Sequence, residues 1–162
     1  MDVLILDASA ASIKGESKMG DYTDMIELLS FSHGVAQQIT GDPSNTKRTS
    51  GKPNIQDFTV TKYSDLATCK LIDYCLQAKP ISKLNIIVGQ NDNGKVTKLF
   101  TYELDNALVS SYSVGGGGGG KPTETVTFNF SKIVWTYVQQ KTEVSEGGNL
   151  PATWDATKNT AS

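Results

Sequence analysis

The sequence has one histidine, two cysteines and no long run of charge or hydrophobicity. Each scarcity removes a class of function. With a single imidazole, His33, there is no second candidate base, which excludes most histidine-based triads. His33 shares the strand parity of Phe31 and Val35 and has no ligand partner at a metal spacing, so it reads as a structural side chain. Cys69 and Cys75 stand in a segment that reads as helix, where their separation is a rise of about 9 Å. A disulfide spans roughly 7 Å between Cα atoms at most, so both read as small, buried or half-buried thiols. Net charge is -2, from 15 basic and 17 acidic residues, and no basic run resembles one that neutralises phosphates. Nucleic acid is therefore not an expected partner. No apolar stretch reaches the roughly 20 residues of a membrane helix. The start, Met1-Asp2-Val3-Leu4-Ile5-Leu6-Asp7, lacks the basic opening and longer apolar core of a secretory leader. The expectation is a chain folded in the cytoplasm, exported, if at all, by a route that needs no cleavable signal.

What is present favours strands. The 162 residues suit one domain spanning 1–162. Such a domain buries roughly 70% of its unfolded surface without disulfide or metal. Ser and Thr together number 32, and many Thr adjoin Val or Phe, a pairing that suits pleated backbone. Val126, Phe128 and Phe130 alternate with polar residues, then the parity flips to Ile133, Trp135 and Tyr137, which predicts a bulge or turn at Ser131-Lys132. Leu84, Ile86 and Val88 alternate in one strand and Phe100, Tyr102 and Leu104 in the next. Asn93-Gly94 between them predicts a tight hairpin. Phe58 and Val60 alternate in a further strand. A flip between Leu28 and Leu29 predicts a long bent strand reaching Ile39.

One segment departs from this period. Ser64-Asp65 can cap a helix, and Leu66, Cys69, Ile72 and Leu76 form a stripe at helical spacing. Lys79-Pro80 ends it, because the residue before proline avoids the helical region. The reading is mainly β: eight to ten strands in an antiparallel barrel or sandwich with one flanking helix over 64–79. Three stretches read as irregular: an extended loop at 41–53, a glycine loop at 115–120 and the polar end from Glu143. Trp154 in that end is expected to be pinned against this or a neighbouring subunit.

Candidate chemistry is thin. Gly115 to Gly120 followed by Lys121 imitates a phosphate loop, but Pro122 stands where Ser or Thr must hold magnesium, and a strand follows instead of a helix. Asp57, Glu103, Asp105 and Glu124 form no glycosidase motif. Asn91-Asp92-Asn93-Gly94 lacks the spacing of a calcium loop. No cofactor, metal or catalytic residue is assigned.

Taken in order, several short pieces resemble the haemolysin-coregulated protein family, Hcp, of bacterial type VI secretion. They are Ile13-Lys14-Gly15-Glu16-Ser17, Ser30-Phe31-Ser32-His33-Gly34, Gln56-Asp57-Phe58, Thr61-Lys62-Tyr63 with Asp65, and Leu108-Val109-Ser110-Ser111-Tyr112-Ser113. Thr123-Glu124, Phe128-Asn129-Phe130 and Trp135-Thr136-Tyr137 follow. The resemblance covers nearly the whole chain, although the glycine loop is longer and purer than the family's usual form. It implies a two-sheet β-barrel that forms hexameric rings stacked into a secreted, non-enzymatic tube. It also implies a contractile sheath, a spike protein of the valine-glycine repeat family, and effector toxins as lumen cargo. Stacking needs a projecting element, and the 41–53 loop, with Asp42, Lys47, Arg48 and Lys52, is the candidate. The alternatives are a β-sandwich binding carbohydrate or another ligand, and a small carboxylate hydrolase.

Overall fold

Asn93 and Gly94 join the two longest strands. β9 (Ile81–Asp92) and β10 (Lys95–Gly115) pair antiparallel between them, from Lys95 opposite Asp92 to Ala107 opposite Ile81. Both turn residues have positive φ, 49° and 82°, as the Asn-Gly pair predicts. The structure, a computed structural model, describes residues 3–37, 39–40, 49–140 and 146–161.

The 21-residue β10 is too long to stay in one sheet, and it bends at Asn106, whose φ is 51°. Inward side chains switch there from Leu104 to Ala107 and Val109. Its return partner breaks at the matching place. β11 (Thr123–Asn129) pairs with the far half of β10 and β12 (Lys132–Gln140) with the near half. The Ser131 N–H donates to Asp105 O at 3.1 Å and clamps the two bends together. The turn predicted at Ser131-Lys132 is thus half of a double bend that carries both strands from one sheet into the other.

The first sheet is completed by β1 (Val3–Asp7), paired with β9, and by β2 (Ile26–Glu27), paired with β1. The second is completed by β8 (Phe58–Tyr63), paired with β11, and by β3 (Ser30–Ser32), paired with β8. The hydrogen-bonded path therefore runs from β2 round to β3. Leu28 and Leu29 join its two ends, their N–H groups donating to Leu4 O at 3.0 Å and Thr61 O at 2.7 Å. The core between the sheets contains Leu6, Ile26, Phe58, Val60, Leu84, Ile86, Leu104, Val126, Phe128 and Ile133, none with exposed surface.

The long bent strand expected over 26–39 is instead a series of short pieces. After β3 come β4 (Val35–Ala36) and β5 (Ile39–Thr40), and the chain returns through β6 (Thr49–Ser50) and β7 (Asn54–Ile55). β4 pairs with β7 and β5 with β6, apart from the main sheets. Thr49–Ser50 is thus strand rather than irregular loop, and the β4–β7 and β5–β6 pairs form the arm that stands apart from the main sheets.

The helix α1 (Thr68–Gln77) is shorter than expected and turns a different face inward. Ala67 and Leu71 are fully buried, with Tyr74 and Cys75 packed behind them, whereas Leu66 and Leu76 are 68% and 81% exposed. Both stripes have helical spacing, so periodicity cannot choose between them. Packing in the folded chain chooses. In the first turn the Asp65 carboxylate accepts the Ala67 N–H at 2.9 Å, and Thr68 Oγ1 accepts the Asp65 N–H at 3.0 Å. Tyr74 and Lys70 then reach back to Ala11 O and Ser12 O. Ala78, with φ of 50°, ends the helix.

The polar end read as irregular contains a strand, β13 (Glu146–Asp155), paired with β12 from Lys132 opposite Asp155 to Gln140 opposite Glu146. Trp154 lies opposite Ile133 and packs against the core, pinned as its size demanded.

Candidate assembly surface

Three arrangements gather the pieces that looked unrelated in sequence. The first is a buried ion network. Lys62 and Glu124, on neighbouring strands β8 and β11, have no exposed side-chain surface, and their charged atoms are 2.6 Å apart. Lys62 also bonds the Asp65 carboxylate at 3.0 Å and Tyr63 O at 2.9 Å. Glu124 accepts the Tyr112 hydroxyl at 2.7 Å and the Ser64 hydroxyl at 3.0 Å. Burial alone would raise the Glu124 pKa, but donors from Lys62, Tyr112 and Thr68 outweigh it and hold the carboxyl below its usual range. Burial, helped by this carboxylate, pushes the Tyr112 phenol up to about 12. Every donor and the acceptor are matched, so the network fastens two strands and the start of α1; sequence reading found its members without finding their contact.

The second is an aromatic cluster around His33. Its ring lies 5.4 Å from Phe58, 6.1 Å from Tyr102, 5.9 Å from Phe130 and 5.9 Å from Trp135, centre to centre. Trp135 Nε1–H donates to His33 Nε2 at 3.2 Å, and His33 Nδ1 lies 3.0 Å from Gln56 O. An indole only donates and a carbonyl only accepts, so together they require the neutral tautomer with its proton on Nδ1. Burial lowers the His33 pKa, and the Gln56 carbonyl opposes this in part. The parity shared with Val35 does not persist: Val35 is 61% exposed on the arm.

The third is an apolar row that runs out of the core. Val88, Phe100, Tyr137 and Leu150 stand opposite one another across β9, β10, β12 and β13. Val88 is buried and Phe100 half-buried, but Tyr137 and Leu150 are 45% and 65% exposed. Tyr137 is therefore not the core residue its alternation suggested. The row leads to β13, which pairs only with β12 among the described residues. An edge with unpaired backbone groups and an apolar face is a ready template for another chain. The arm offers a second apolar patch of different shape, with Val35 and Ile39 both 61% exposed. Of the four residues expected to serve stacking, Asp42, Lys47 and Arg48 lie outside the described residues. Lys52 is exposed and lines a shallow hollow with Asp57, Asn129, Phe130 and Trp154.

Among the described residues no three His, Cys, Asp or Glu side chains converge as metal ligands would, and no helix is long and apolar enough to cross a membrane. Asp57 is held by Ser110 and Asn129, at 3.2 and 2.9 Å. The fold and its uncovered row define a structural subunit, a β domain built to be completed by other chains.

Comparison with known proteins makes this specific. The family model described as type VI secretion system effector, Hcp, matches residues 5–137. The chain is 34% identical over 151 residues to Protein hcp1 of Pseudomonas aeruginosa, covering 91% of each. A solved structure of a type six secretion system protein superposes with a TM-score of 0.91 at 25% identity, covering 100% of both chains. Hcp1 from Salmonella typhimurium shares the fold, with a TM-score of 0.80 at 23% identity over 99% and 98% of the two chains. The chain belongs to the Hcp family and is a tube subunit of the type VI secretion system. The carbohydrate-binding alternative finds no support in these matches.

Proposed function

We propose that this chain, as a single domain spanning residues 1–162, is the non-catalytic repeating unit of a stack of hexameric rings. The observation that carries the reading is the row from Val88 to Leu150, which leaves the core and ends on β13, whose outer edge has no strand partner among the described residues. Rings need head-to-tail contacts, in which one patch meets a different patch on the next copy. The outer sheet at β13 and the apolar arm supply two unlike patches. The residues proposed for stacking, in the 41–53 segment, are Asp42, Lys47, Arg48 and Lys52, whose charges would meet their complements on the next ring. The partners that follow from a tube are a contractile sheath around it, a spike protein of the valine-glycine repeat family at its tip, and effector toxins in its lumen. The tube is assembled in the cytoplasm and leaves with the secretion event.

Light scattering after size exclusion, together with electron microscopy, tests the reading. The parent chain should give six-membered rings. Leu150→Lys should give monomers with unfolding stability within about 0.5 kcal/mol of the parent, since the side chain is exposed. A parent chain that is monomeric at high concentration would overturn it.

A further inference from the structure

We propose that His33 is a proton-operated latch between the root of the arm and the outer sheet: a proton taken up at Nε2 breaks the bond to Trp135 and frees the two elements from one another. This deepens the tube reading and rests on it for its consequence, because Trp135 belongs to the strand that presents Tyr137.

The geometry leaves His33 one protonation state. Nε2 must be bare to accept the Trp135 indole N–H, and Nδ1 must carry the proton for Gln56 O. A second proton has only Nε2 to occupy. There it would place N–H against N–H at a distance of 3.2 Å, so the indole must turn away. The Gln56 bond survives, since imidazolium still donates from Nδ1. The break therefore falls on one side of the ring: His33 stays with the arm root, where Gln56 N–H also bonds Gly34 O at 2.9 Å, and lets go of β12.

The surroundings offer the new charge the modest attraction of aromatic faces but no carboxylate bonded to the ring. The ring packs on Phe31's neighbour Phe58 in β8, Tyr102 in β10, Phe130 before β12, and Trp135 within it. Tyr102 is the titratable group in that set, and burial raises its phenol, so it stays neutral. Three charged groups on the same elements have partners of their own. Asp57 binds Ser110 and Asn129, Lys62 binds Glu124 and Asp65, and Glu103 binds Lys83. Asp105 stands opposite Lys132 across β10 and β12, and one of its carboxylate oxygens is buried without a hydrogen-bond partner. An imidazolium here would face aromatic rings and a donor, without a hydrogen-bonded carboxylate. The order of events follows: neutral surroundings keep the arm and outer sheet fastened, and acid surroundings release them.

The test uses the full chain, whose single histidine makes the imidazole signals unambiguous. Nitrogen NMR across an acid titration should show Nδ1–H at neutral pH and a midpoint below the ordinary 6.5. The Trp135 indole signal, assigned by its loss in Trp135→Phe, should move with the same midpoint. In Trp135→Phe the imidazole midpoint should rise above the parent's, because protonation no longer breaks a bond, while burial still holds it below the ordinary value. Rings followed by light scattering should fall apart at the parent's midpoint, and those of His33→Gln should persist at least about one pH unit lower, a tenfold change in proton concentration. An indole signal that stays still through the imidazole titration overturns the latch, as does His33→Gln dissociating at the parent's pH. If His33→Gln does not fold, the parent and Trp135→Phe spectra decide. Absence of rings at every pH would sink the tube reading alone, and the indole signal would still judge the latch.

Discussion

Lys62 Nζ lies 2.6 Å from Glu124 Oε2, and neither side chain has exposed surface. Removing one member of such a pair strands the other in a low-dielectric interior. Glu124→Ala is expected to cost about 3–5 kcal/mol, read by urea unfolding at neutral pH. The pH dependence has a definite sign. Glu124 is lowered from 4.5 in the fold, so its contribution is complete above 4.5 and drains away as pH falls through the lower folded value. Glu124→Gln should flatten that part of the stability curve.

Tyr112 is tied to the same carboxylate. Its phenol is raised to about 12, so the contribution is complete below the ordinary 10 and is lost as pH rises between the two values. In an alkaline absorbance titration of the six tyrosines, a phenolate step near 12 should vanish in Tyr112→Phe. The same substitution should cost about 1.5–3 kcal/mol, as for a hydrogen bond to a charged group.

The inward face of α1 can be checked by two matched substitutions. Leu71→Ala should cost about 2–5 kcal/mol through an unfilled cavity. Leu76→Ala, at a site 81% exposed, should change stability by less than about 0.5 kcal/mol. Equal effects in thermal unfolding would contradict the observed packing.

Gly15 is a close-approach glycine. A Cβ there would lie 2.4 Å from Met25 O and 2.7 Å from Ile26 Cα, both backbone atoms. Gly15→Ala must push apart segments joined by the Gly15 N–H to Asp24 O bond, 2.8 Å long. Soluble yield and melting temperature should both fall sharply. Gly117→Ala, where a Cβ meets nothing within 4 Å, should leave both unchanged.

The strand periods were legible because alternation reports burial directly: Phe58, Val60, Val126 and Phe128 all point inward as their spacing requires. The Asn93-Gly94 hairpin was legible because its turn demands positive φ at both positions. The helix face was not, since Leu66 and Leu71 belong to two stripes that periodicity scores alike and only packing in the folded chain separates. β13 was hidden by Gly147, Gly148 and Pro151, residues that weaken a strand reading but are tolerated at a sheet edge. Of the assembly surface, the order of short pieces pointed to the family. The uncovered row did not show, because Tyr137 and Trp135 have the same parity and only the length of the covering sheet distinguishes them. The Lys62–Glu124 contact spans two strands distant in sequence, and no local pattern reports such a pair.

The position of β13 in the chain has a further consequence. It follows every other described strand, so a ribosome finishes it last. β1, by contrast, emerges first and must wait for β9 before it can pair. Until β13 is made, the outer edge of the sheet is β12, and β13 then covers it. The edge through which the proposed ring would close therefore exists only once β13 itself has been synthesised.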